Sequence, residues 1–460
     1  MTREKKLYVL LAVLAVVAVG AFVASSIQTS KENIKENGET VLSLDVDSVT
    51  AVSWDTGESA FSFHKDDGSW VYDADQAFPV DGGKIDEMLS CFQEFGASYT
   101  IEDADDLGQY GLDNPVCTIN VAANGEDYAI SLGNFSTVDS ERYVSLGDGK
   151  VHLAKTDPLE TFEVELSDLI AHDTVPDITN ATAIAFEGAQ NYEIAYIEDN
   201  AAHTYCADDV YFVGDDPLDT DTVETYLSRI KNLGLSDYVE YNVSDGNLSA
   251  YGLDNPELVV TVDYSTDDGE TTETFTLRVG RNQEELEKAR SSDDEDAEDD
   301  VQAYVQVENS RIVYAISHVD YERLTAASYD DLRHQDVVPV DFDQVTSIDV
   351  ELDGATHTLT YDAEAEAWHC DGAEEEADVS TLKSEITGLT ATSFTQEEAA
   401  GQEEISLTLH LSNEHYPTVE VKLYRKDGET CLAVIDGESV AYVSRDSVVD
   451  IVEAVNKIVL

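Results

Sequence analysis

The sequence predicts an α+β protein of three tandem modules, each ordered strands, helix, strands and helix with antiparallel sheets, behind one N-terminal transmembrane helix. The string Tyr-Gly-Leu-Asp-Asn-Pro stands at residues 110–115 and again at 251–256, an offset of 251 − 110 = 141 residues. Such a distance indicates a duplicated domain rather than a solenoid. An uncharged apolar run fills residues 7–27, and one order of strand and helix patterns occurs three times. That order is typical of α+β modules.

The composition limits the kinds of partner. The 460 residues have room for about three domains of about 150 residues each. Asp and Glu number 97 against 25 Lys and Arg, which gives a net charge of −72. Nucleic-acid binding requires cationic side chains against phosphates, so we expect no nucleic-acid partner. The charge favours solubility, and the open alternative is attraction of cations or of a basic partner.

The N-terminus predicts a membrane anchor. Residues 1–6 carry Arg3, Lys5 and Lys6 and are expected to form a cytoplasmic tail, and residues 7–27 are long enough to cross a bilayer. We expect an uncleaved signal anchor and a single-pass location in the cell membrane, with the C-terminal bulk extracytoplasmic. A signal peptide cleaved after Ala21 or Ser25 is the alternative. Residues 28–44 are predicted to form a polar stalk.

The three predicted modules cover residues 45–172, 178–334 and 340–460. Each opens with apolar residues at every second position, which indicates half-buried strands, followed by a strand with a large aromatic residue such as Trp70 or Trp368. A helix with an apolar stripe comes next, with expected N-caps at Asp81, Asp221 and Asp378. A hairpin follows later in each module, and the terminal helices are expected at 158–169, 319–332 and 447–458.

The repeated hexapeptide is interpreted as a rigid structural corner. Proline forces the preceding Asn114 or Asn255 into an extended conformation, and Gly111 or Gly252 can supply a positive φ. The corner would direct the chain into the strand that follows. The third module lacks the string, and its corresponding region, 396–404, is acidic with Gly401 and has no proline.

One segment of the second module is predicted to be disordered. Residues 284–300 form an acidic loop that includes Ser-Ser-Asp-Asp-Glu-Asp at 291–296. Like charges repel each other, so a loop without fixed structure is expected. Carboxylates at 293–300 could hold a divalent cation such as calcium weakly, without the geometry of a tuned site.

The sequence nominates no catalytic, cofactor-binding or metal-binding residue and no cofactor. Residues 147–150, Gly-Asp-Gly-Lys, lack the spacing of a phosphate-binding loop and are interpreted as a hairpin turn. His410 and His415 are five residues apart in strand-like sequence, which does not suit helical metal ligation. The five cysteines, 91, 117, 206, 370 and 431, have no CxxC spacing and are interpreted mostly as buried thiols, with an isolated disulfide left open.

The sequence resembles a family of bacterial proteins of unknown function that carry an N-terminal membrane helix. The residues that carry the resemblance are the hexapeptide, the Leu132-Gly133 and Val279-Gly280 turns, and the strand 142–144 followed by residues 151–154. Members are often encoded beside ABC transporters of the gliding-motility type. The resemblance therefore implies an extracytoplasmic location and transporter subunits as candidate partners.

These observations favour a membrane-anchored extracytoplasmic accessory or binding protein, associated with an ABC transporter system and with the membrane through residues 7–27. Diverged tandem modules without a catalytic motif suit presentation of a binding surface. A cell-envelope hydrolase and a structural spacer are the alternatives, so enzymatic activity stays undecided, with the balance against it. An enzyme would need polar groups that converge in one deep cleft.

Overall fold

The computed structural model describes residues 38–102, 104, 106–266, 271–294 and 296–459. The chain divides between His172 and Asp173 into two compact units. The predicted tail, the anchor at 7–27 and most of the stalk lie outside the described residues. None of the helices within the described ranges has the length and apolar character needed to cross a membrane. The predicted single-pass membrane location is therefore corrected: the described structure gives it no support.

The described residues of the first unit contain nine strands and two α-helices. The strands are β1 (Glu39–Leu42), β2 (Val49–Asp55), β3 (Ala60–Asp66), β4 (Ser69–Tyr72), β5 (Phe95–Ile101), β6 (Cys117–Ala123), β7 (Glu126–Ser136), β8 (Glu141–Ser145) and β9 (Val151–Ala154). The helices are α1 (Gly82–Ser90) and α2 (Leu159–Phe162). The strands form one antiparallel sheet in the order β1-β5-β9-β8-β7-β6-β2-β3-β4.

Two further sheets lie in the described part of the second unit. Its first part has β10 (Ala181–Gly188), β11 (Tyr192–Tyr196), β12 (Tyr211–Val213), β13 (Asp216–Pro217), β14 (Tyr238–Glu240), β15 (Leu258–Ser265), β16 (Thr272–Arg281), β17 (Ala303–Val307) and β18 (Val313–Ile316). The helices there are α3 (Thr220–Lys231), α4 (Gln283–Arg290), α5 (His318–Thr325) and α6 (Tyr329–Leu332). The sheet order is β13-β12-β11-β10-β15-β16-β17-β18-β14.

The last sheet belongs to the third predicted module. It has β19 (Val345–Leu352), β20 (Ala355–Asp362), β21 (Ala367–Cys370), β22 (Ser393–Phe394), β23 (Gln402–Leu411), β24 (Thr418–Arg425), β25 (Thr430–Ile435) and β26 (Glu438–Ser444). The helices are α7 (Ser380–Thr387) and α8 (Arg445–Val459). The order is β21-β20-β19-β23-β24-β25-β26-β22.

The predicted fold class is wrong. The described chain is dominated by three antiparallel sheets of eight or nine strands, and the helices are short additions to them rather than equal partners in strand–helix modules. The predicted terminal helix at 158–169, for example, contains only α2 and a 3-10 turn at Leu166–Leu169. Apolar residues at every second position indicated individual strands. This local pattern did not show that the strands of each module pair into one wide sheet.

The three sheets share one arrangement of strands. In each, the opening strand of the module (β2, β10 or β19) lies between the strand that follows it and the strand that comes after the helix and corner region (β6, β15 or β23). The closing hairpin then leads to an edge strand that follows the helix in sequence, namely β14 in the second sheet and β22 in the third. In the first sheet the corresponding strand is β5, which lies between β9 and the edge strand β1.

Two of the three expected helix caps are displaced. Asp81 accepts a hydrogen bond from the Lys84 amide at the start of α1, as predicted. At α3 the cap is Asp219, which accepts from the amides of Asp221 and Thr222, rather than Asp221 itself. At α7 the cap position is Val379, and Asp378 instead accepts from Ser380 just beyond it. A run of acidic residues at a helix start offers several possible caps, and local geometry selects among them.

The predicted disordered loop at 284–300 begins with a helix. Asn282 caps α4 by accepting a hydrogen bond from the Glu285 amide at 3.0 Å, and Leu286 is 1% exposed. Lys288 and Arg290 lie in the last turn, where cations interact favourably with the helix dipole. The buried Leu286 and the charges of Lys288 and Arg290 therefore favour a helix in the first part of this segment. The prediction of disorder considered only the repulsion between its acidic residues.

Candidate functional site

The repeated hexapeptide has the same geometry in both copies. A 3-10 turn at Leu107–Tyr110 ends at Gly111 with φ of 70°, and the turn at Leu248–Tyr251 ends at Gly252 with φ of 69°. In each copy the amide of the next leucine donates to the carbonyl of the first turn residue at 3.0 Å. Left-handed backbone of this kind is accessible to glycine without a steric penalty. The predicted positive φ at the glycine of the string is confirmed in both copies.

Each corner lies directly against the strand before the closing hairpin. A Cβ atom on Gly252 would stand 2.0 Å from the Arg281 carbonyl oxygen, and one on Gly280 would stand 2.4 Å from the Gly252 oxygen. In the first unit a Cβ on Gly133 would stand 2.2 Å from the Tyr110 oxygen. These distances are far shorter than van der Waals contact. The glycines of the corner and of the Gly133 and Gly280 turns are therefore needed to bring two backbones together.

The tyrosine of each corner packs on a tyrosine of the closing hairpin. The rings of Tyr110 and Tyr143 are 5.0 Å apart between centroids, and those of Tyr251 and Tyr304 are also 5.0 Å apart. Aromatic pairs at this distance contribute about 0.5–1.5 kcal/mol beyond their burial. The corner therefore packs both against the strand that precedes the closing hairpin and against the hairpin itself.

The third module keeps part of this arrangement without the hexapeptide. Gly401 has φ of 128°, and a Cβ on it would stand 2.5 Å from the Arg425 carbonyl oxygen. Arg425 ends β24 as Arg281 ends β16, and its Nε lies 2.6 Å from Glu404 Oε1. A glycine thus approaches the backbone of a strand-ending arginine in both modules.

The second module has a cleft beside its corner. The cleft has a volume of about 810 Å³, within the range of about 300–1,000 Å³ that is typical of ligand sites. Its walls are residues 187–191, 255–259 and 327–328, with the side chains of Arg281, Gln283, Arg290, Tyr321 and Thr325. The Asn-Pro end of the hexapeptide therefore forms one wall of an open polar cleft.

Arg281 lines this cleft and is fixed by three contacts. Its Nε lies 3.3 Å from Glu257 Oε2, its Nη1 donates to the Glu298 carbonyl at 3.1 Å, and its guanidinium carbon lies 4.2 Å from the Tyr321 ring centre. The side chain is only 10% exposed. Tyr321 donates a hydrogen bond from its hydroxyl to the same Glu257 oxygen. The three side chains thus form a closed cluster.

The position of Arg281 follows from the corner. Its carbonyl group is in contact with Gly252, and the side-chain amide of the neighbouring Asn282 donates to the Ala250 carbonyl at 2.8 Å. Burial, and next the hydrogen bond to Glu257, raise the pKa of Tyr321 above its usual value. The phenol therefore stays neutral and keeps its proton as a donor to Glu257. This arrangement suits recognition, because its donors and acceptors are fixed before a ligand arrives.

Arg290 supplies a second, more accessible cation at the cleft. Its side chain is 55% exposed, and its Nε lies 3.1 Å from Glu298 Oε2. The acidic segment after α4 therefore returns to the cleft through Glu298, which contacts both arginines. Glu187, Gln190 and Asn191 also line the cleft. The cleft offers cationic, anionic and amide groups together.

The structure places the residues discussed from sequence in structural roles. Residues 147–150 form the turn between β8 and β9, with positive φ at Gly147 and Gly149, as predicted. His410 Nε2 lies 2.8 Å from Asp349 Oδ2, and the His415 amide donates to Asn413, so the two histidines have separate partners. All five cysteines are free thiols. Weak cation binding at 293–300 stays a prediction.

A hydrogen-bond chain in the first unit has the order of a nucleophile, a base and a carboxylate. Thr100 Oγ1 lies 3.1 Å from His152 Nδ1, and His152 Nε2 lies 3.1 Å from Asp148 Oδ2. Thr100 and His152 are directly opposite each other on β5 and β9, and His152 is 2% exposed. Paired polar side chains on facing strands stabilise a sheet in this way. We interpret the chain as a cross-strand contact.

Sequence reasoning missed Glu257, Arg281 and Tyr321. Glu257 immediately follows the hexapeptide and Arg281 immediately follows the Val279-Gly280 turn, so their adjacency to the two repeated motifs was a usable signal. Tyr321 carried none, because its contact with Arg281 depends on how α5 packs against the sheet.

The fold and the cleft place the chain in a class of proteins with wide antiparallel sheets in tandem. A polar cleft lies beside the repeated corner in the second of these modules. The chain matches the family model described as Domain of unknown function (DUF4340) over residues 70–201 and 214–407, well over half of its length. The chain belongs to this family, and the predicted membership of a family of unknown function is confirmed. No curated protein and no solved structure matches it significantly.

Proposed function

We propose that the chain is a non-catalytic accessory protein that binds a protein partner at the cleft of its second module. The observation that carries the proposal is the placement of Arg281 and Arg290 in one cleft, in a chain with 97 acidic and only 25 basic residues. Arg281 is fixed by Glu257 and Tyr321, while Arg290 is accessible at the surface. Arginine at such a position is a frequent anchor of protein interfaces.

The chemistry of the cleft suggests the kind of partner surface. Its lining combines guanidinium groups with the amides of Gln190, Asn191 and Asn255 and the carboxylates of Glu187 and Glu257. A partner segment with a carboxylate for Arg290 and main-chain amides for the remaining groups would complement it. Association would be helped if the rest of the partner surface is basic, because the chain has a net charge of −72.

Subunits of an ABC transporter are the candidate partner that the family resemblance suggests. The test is purification of the tagged full-length chain from its own cells, as wild type and as Arg290→Glu, with identification of the proteins retained. Arg323→Glu is the matched control, since Arg323 is 59% exposed on the nearby α5 and does not line the cleft.

The outcomes separate the candidate functions. Transporter subunits retained by wild type and Arg323→Glu but lost with Arg290→Glu are the expected result. Equal retention by all three chains would remove the cleft as the binding site. If no protein is retained by any of them, the structural spacer is favoured, and turnover of a cell-wall polymer by the purified chain would favour the hydrolase.

A further inference from the structure

We propose that Cys206, Asp209 and His334 form a binding site for a transition-metal ion of the zinc type in the second unit. The thiol sulfur, a carboxylate oxygen and an imidazole nitrogen of these residues all lie within 4.8 Å of one another. Tetrahedral Zn²⁺ with bonds of about 2.0–2.3 Å accepts all three ligand types and leaves its fourth position to water. The site does not depend on the cleft or on the proposed partner.

The three ligands are brought together from distant parts of the chain. Cys206 and Asp209 lie in the loop between β11 and β12, and His334 follows α6 at the start of the connection to the last sheet. His334 Nε2 lies 2.8 Å from Asp209 Oδ1, across 125 residues of sequence. Neither the loop nor the connection alone has the spacing of a metal motif, which explains why sequence reasoning found no site.

The carboxylate is buried and held in a fixed orientation. Asp209 is 2% exposed, and its Oδ2 accepts a hydrogen bond at 3.0 Å from the hydroxyl of Thr204, which is itself 5% exposed. The same hydroxyl accepts from the Cys206 amide at 3.0 Å. Thr204 thus orients two of the ligands from outside the cluster, a role that outer groups commonly have at metal sites.

The backbone of the loop is also fixed. The side-chain amide of Asn200 donates to the carbonyls of Ala207 and Asp209 at 2.8 and 2.6 Å, and the His203 amide donates to the Asn200 carbonyl. A cation bound here would therefore meet ligands whose main chain is already in place. This preorganisation distinguishes the cluster from the exposed carboxylates that cover the remaining surface.

A cation that binds here must displace protons from its ligands. Burial, and next the charge of Asp209, raise the pKa of the Cys206 thiol to about 12, so the free thiol is neutral. Burial alone would lower the pKa of His334, but the hydrogen bond to Asp209 and the charges of Asp209, Asp219 and Asp336 together leave the pKa raised. Coordination would release the thiol proton to solvent, since the thiolate is the ligand form.

The location suggests what the ion would do. Tyr205, next to the site, packs against the core of the last sheet, and its ring lies 6.1 Å from that of Tyr416. The Tyr416 hydroxyl donates to the Ala202 carbonyl in the same loop. A metal that joins this loop to His334 would therefore stiffen the contact between the two sheets of the second unit.

A second cluster provides the matched control. His357, Cys370 and Asp371 also have ligand atoms within 4.8 Å of one another, but the Asp371 side chain is 51% exposed. Cobalt(II) titration of the chelator-treated full-length chain is the experiment, with the thiolate-to-cobalt charge-transfer band as the readout. We expect the band to saturate at one equivalent in the wild type and in Cys370→Ser and Cys91→Ser, and to disappear in Cys206→Ser.

His334→Gln should weaken cobalt binding by at least the ~10–100-fold that loss of an outer-shell partner causes. If Cys206→Ser does not fold, as judged by circular dichroism, alkylation of the wild type decides: zinc should slow modification of Cys206 and leave that of Cys370 unchanged. Absence of the band in the wild type, its persistence in Cys206→Ser, or equal alkylation of Cys206 with and without zinc would overturn the proposal.

Discussion

The guanidinium carbon of Arg281 lies 4.2 Å from the ring centre of Tyr321, and both side chains also contact one carboxylate oxygen of Glu257. Glu257 directly follows the second hexapeptide, and Arg281 ends the strand against which Gly252 packs. The corner and the cleft are therefore parts of one structure. A change in the corner should move the groups that a partner would contact.

Arg281→Ala should lower the free energy of unfolding by roughly 2–4 kcal/mol. The substitution removes the partner of a largely buried carboxylate and a cation–π contact, although Tyr321 still donates to Glu257. Urea unfolding of the full-length chain measures the effect. Arg323→Ala is the control: its ion pair with Asp320 spans 3.8 Å with a 59% exposed side chain, so about 0.5 kcal/mol or less is expected. Equal effects of the two substitutions would contradict the cluster.

Gly252→Ala should destabilise the chain more than Gly214→Ala. Both glycines have positive φ, 69° and 62°, so both substitutions carry a left-handed backbone penalty of about 1–3 kcal/mol. Only at Gly252 would the new Cβ meet another atom, the Arg281 oxygen at 2.0 Å, whereas nothing lies within 4 Å at Gly214. The difference between the two melting temperatures isolates the close approach. Identical melting temperatures would show that the corner is not tightly packed.

Leu286→Ala should destabilise α4 by about 2–4 kcal/mol, since a 1% exposed leucine would leave a cavity. Hydrogen exchange of residues 283–290 should become faster, with little change in the first unit. Lys288→Ala, on the exposed side of the same helix, is the matched control. If amides in 283–290 exchange at the rate of an unfolded chain even in the wild type, the segment is the disordered loop that its charge suggests.

Asp177→Asn should reduce the sensitivity of stability to acid. Hydrogen bonds from Lys231 and then from Thr179 lower the pKa of Asp177 from 3.8 to about 2. A carboxyl whose pKa is lowered by folding contributes stability that is complete above its ordinary pKa and is lost as the pH falls through the folded value. Thermal unfolding of the variant should therefore change less between about pH 4 and pH 2.

Lys231→Met should have the same effect as Asp177→Asn, because it removes the first partner of that carboxylate, 2.8 Å away. An acid dependence that matches the wild type in both variants would show that the ion pair does not form in solution.

The sequence predicts local structure well where two independent signals coincide. The hexapeptide combines a glycine with a proline, and the structure gives the two copies φ values of 70° and 69° at that glycine. The closing hairpins combine apolar residues at every second position with a turn sequence between the two strands, and β8 and β9 pair as expected. The width of the sheets was not predictable in this way, because pairing between strands distant in sequence leaves no local pattern.

The candidate sites depend on contacts that the sequence does not encode locally. Arg281 and Tyr321 are 40 residues apart (321 − 281), and Asp209 and His334 are 125 apart. In the segment 284–300, by contrast, local contacts were overlooked. The acidic charge of the segment predicted disorder, but the N-cap Asn282 and the buried Leu286 stabilise a helix in its first part. Net charge describes a segment only when no specific contact opposes it.

The most direct test of the account is photo-cross-linking from the cleft of the second module. A photoreactive residue would replace Asn255, which is exposed and lines the cleft, and in a second chain Glu322, whose side chain is 63% exposed on α5 outside the lining. Irradiation in the native cells should join the Asn255 chain to one discrete partner protein and should give no such product from the Glu322 chain. Equal products from both positions, or none from Asn255, would contradict a partner-binding cleft.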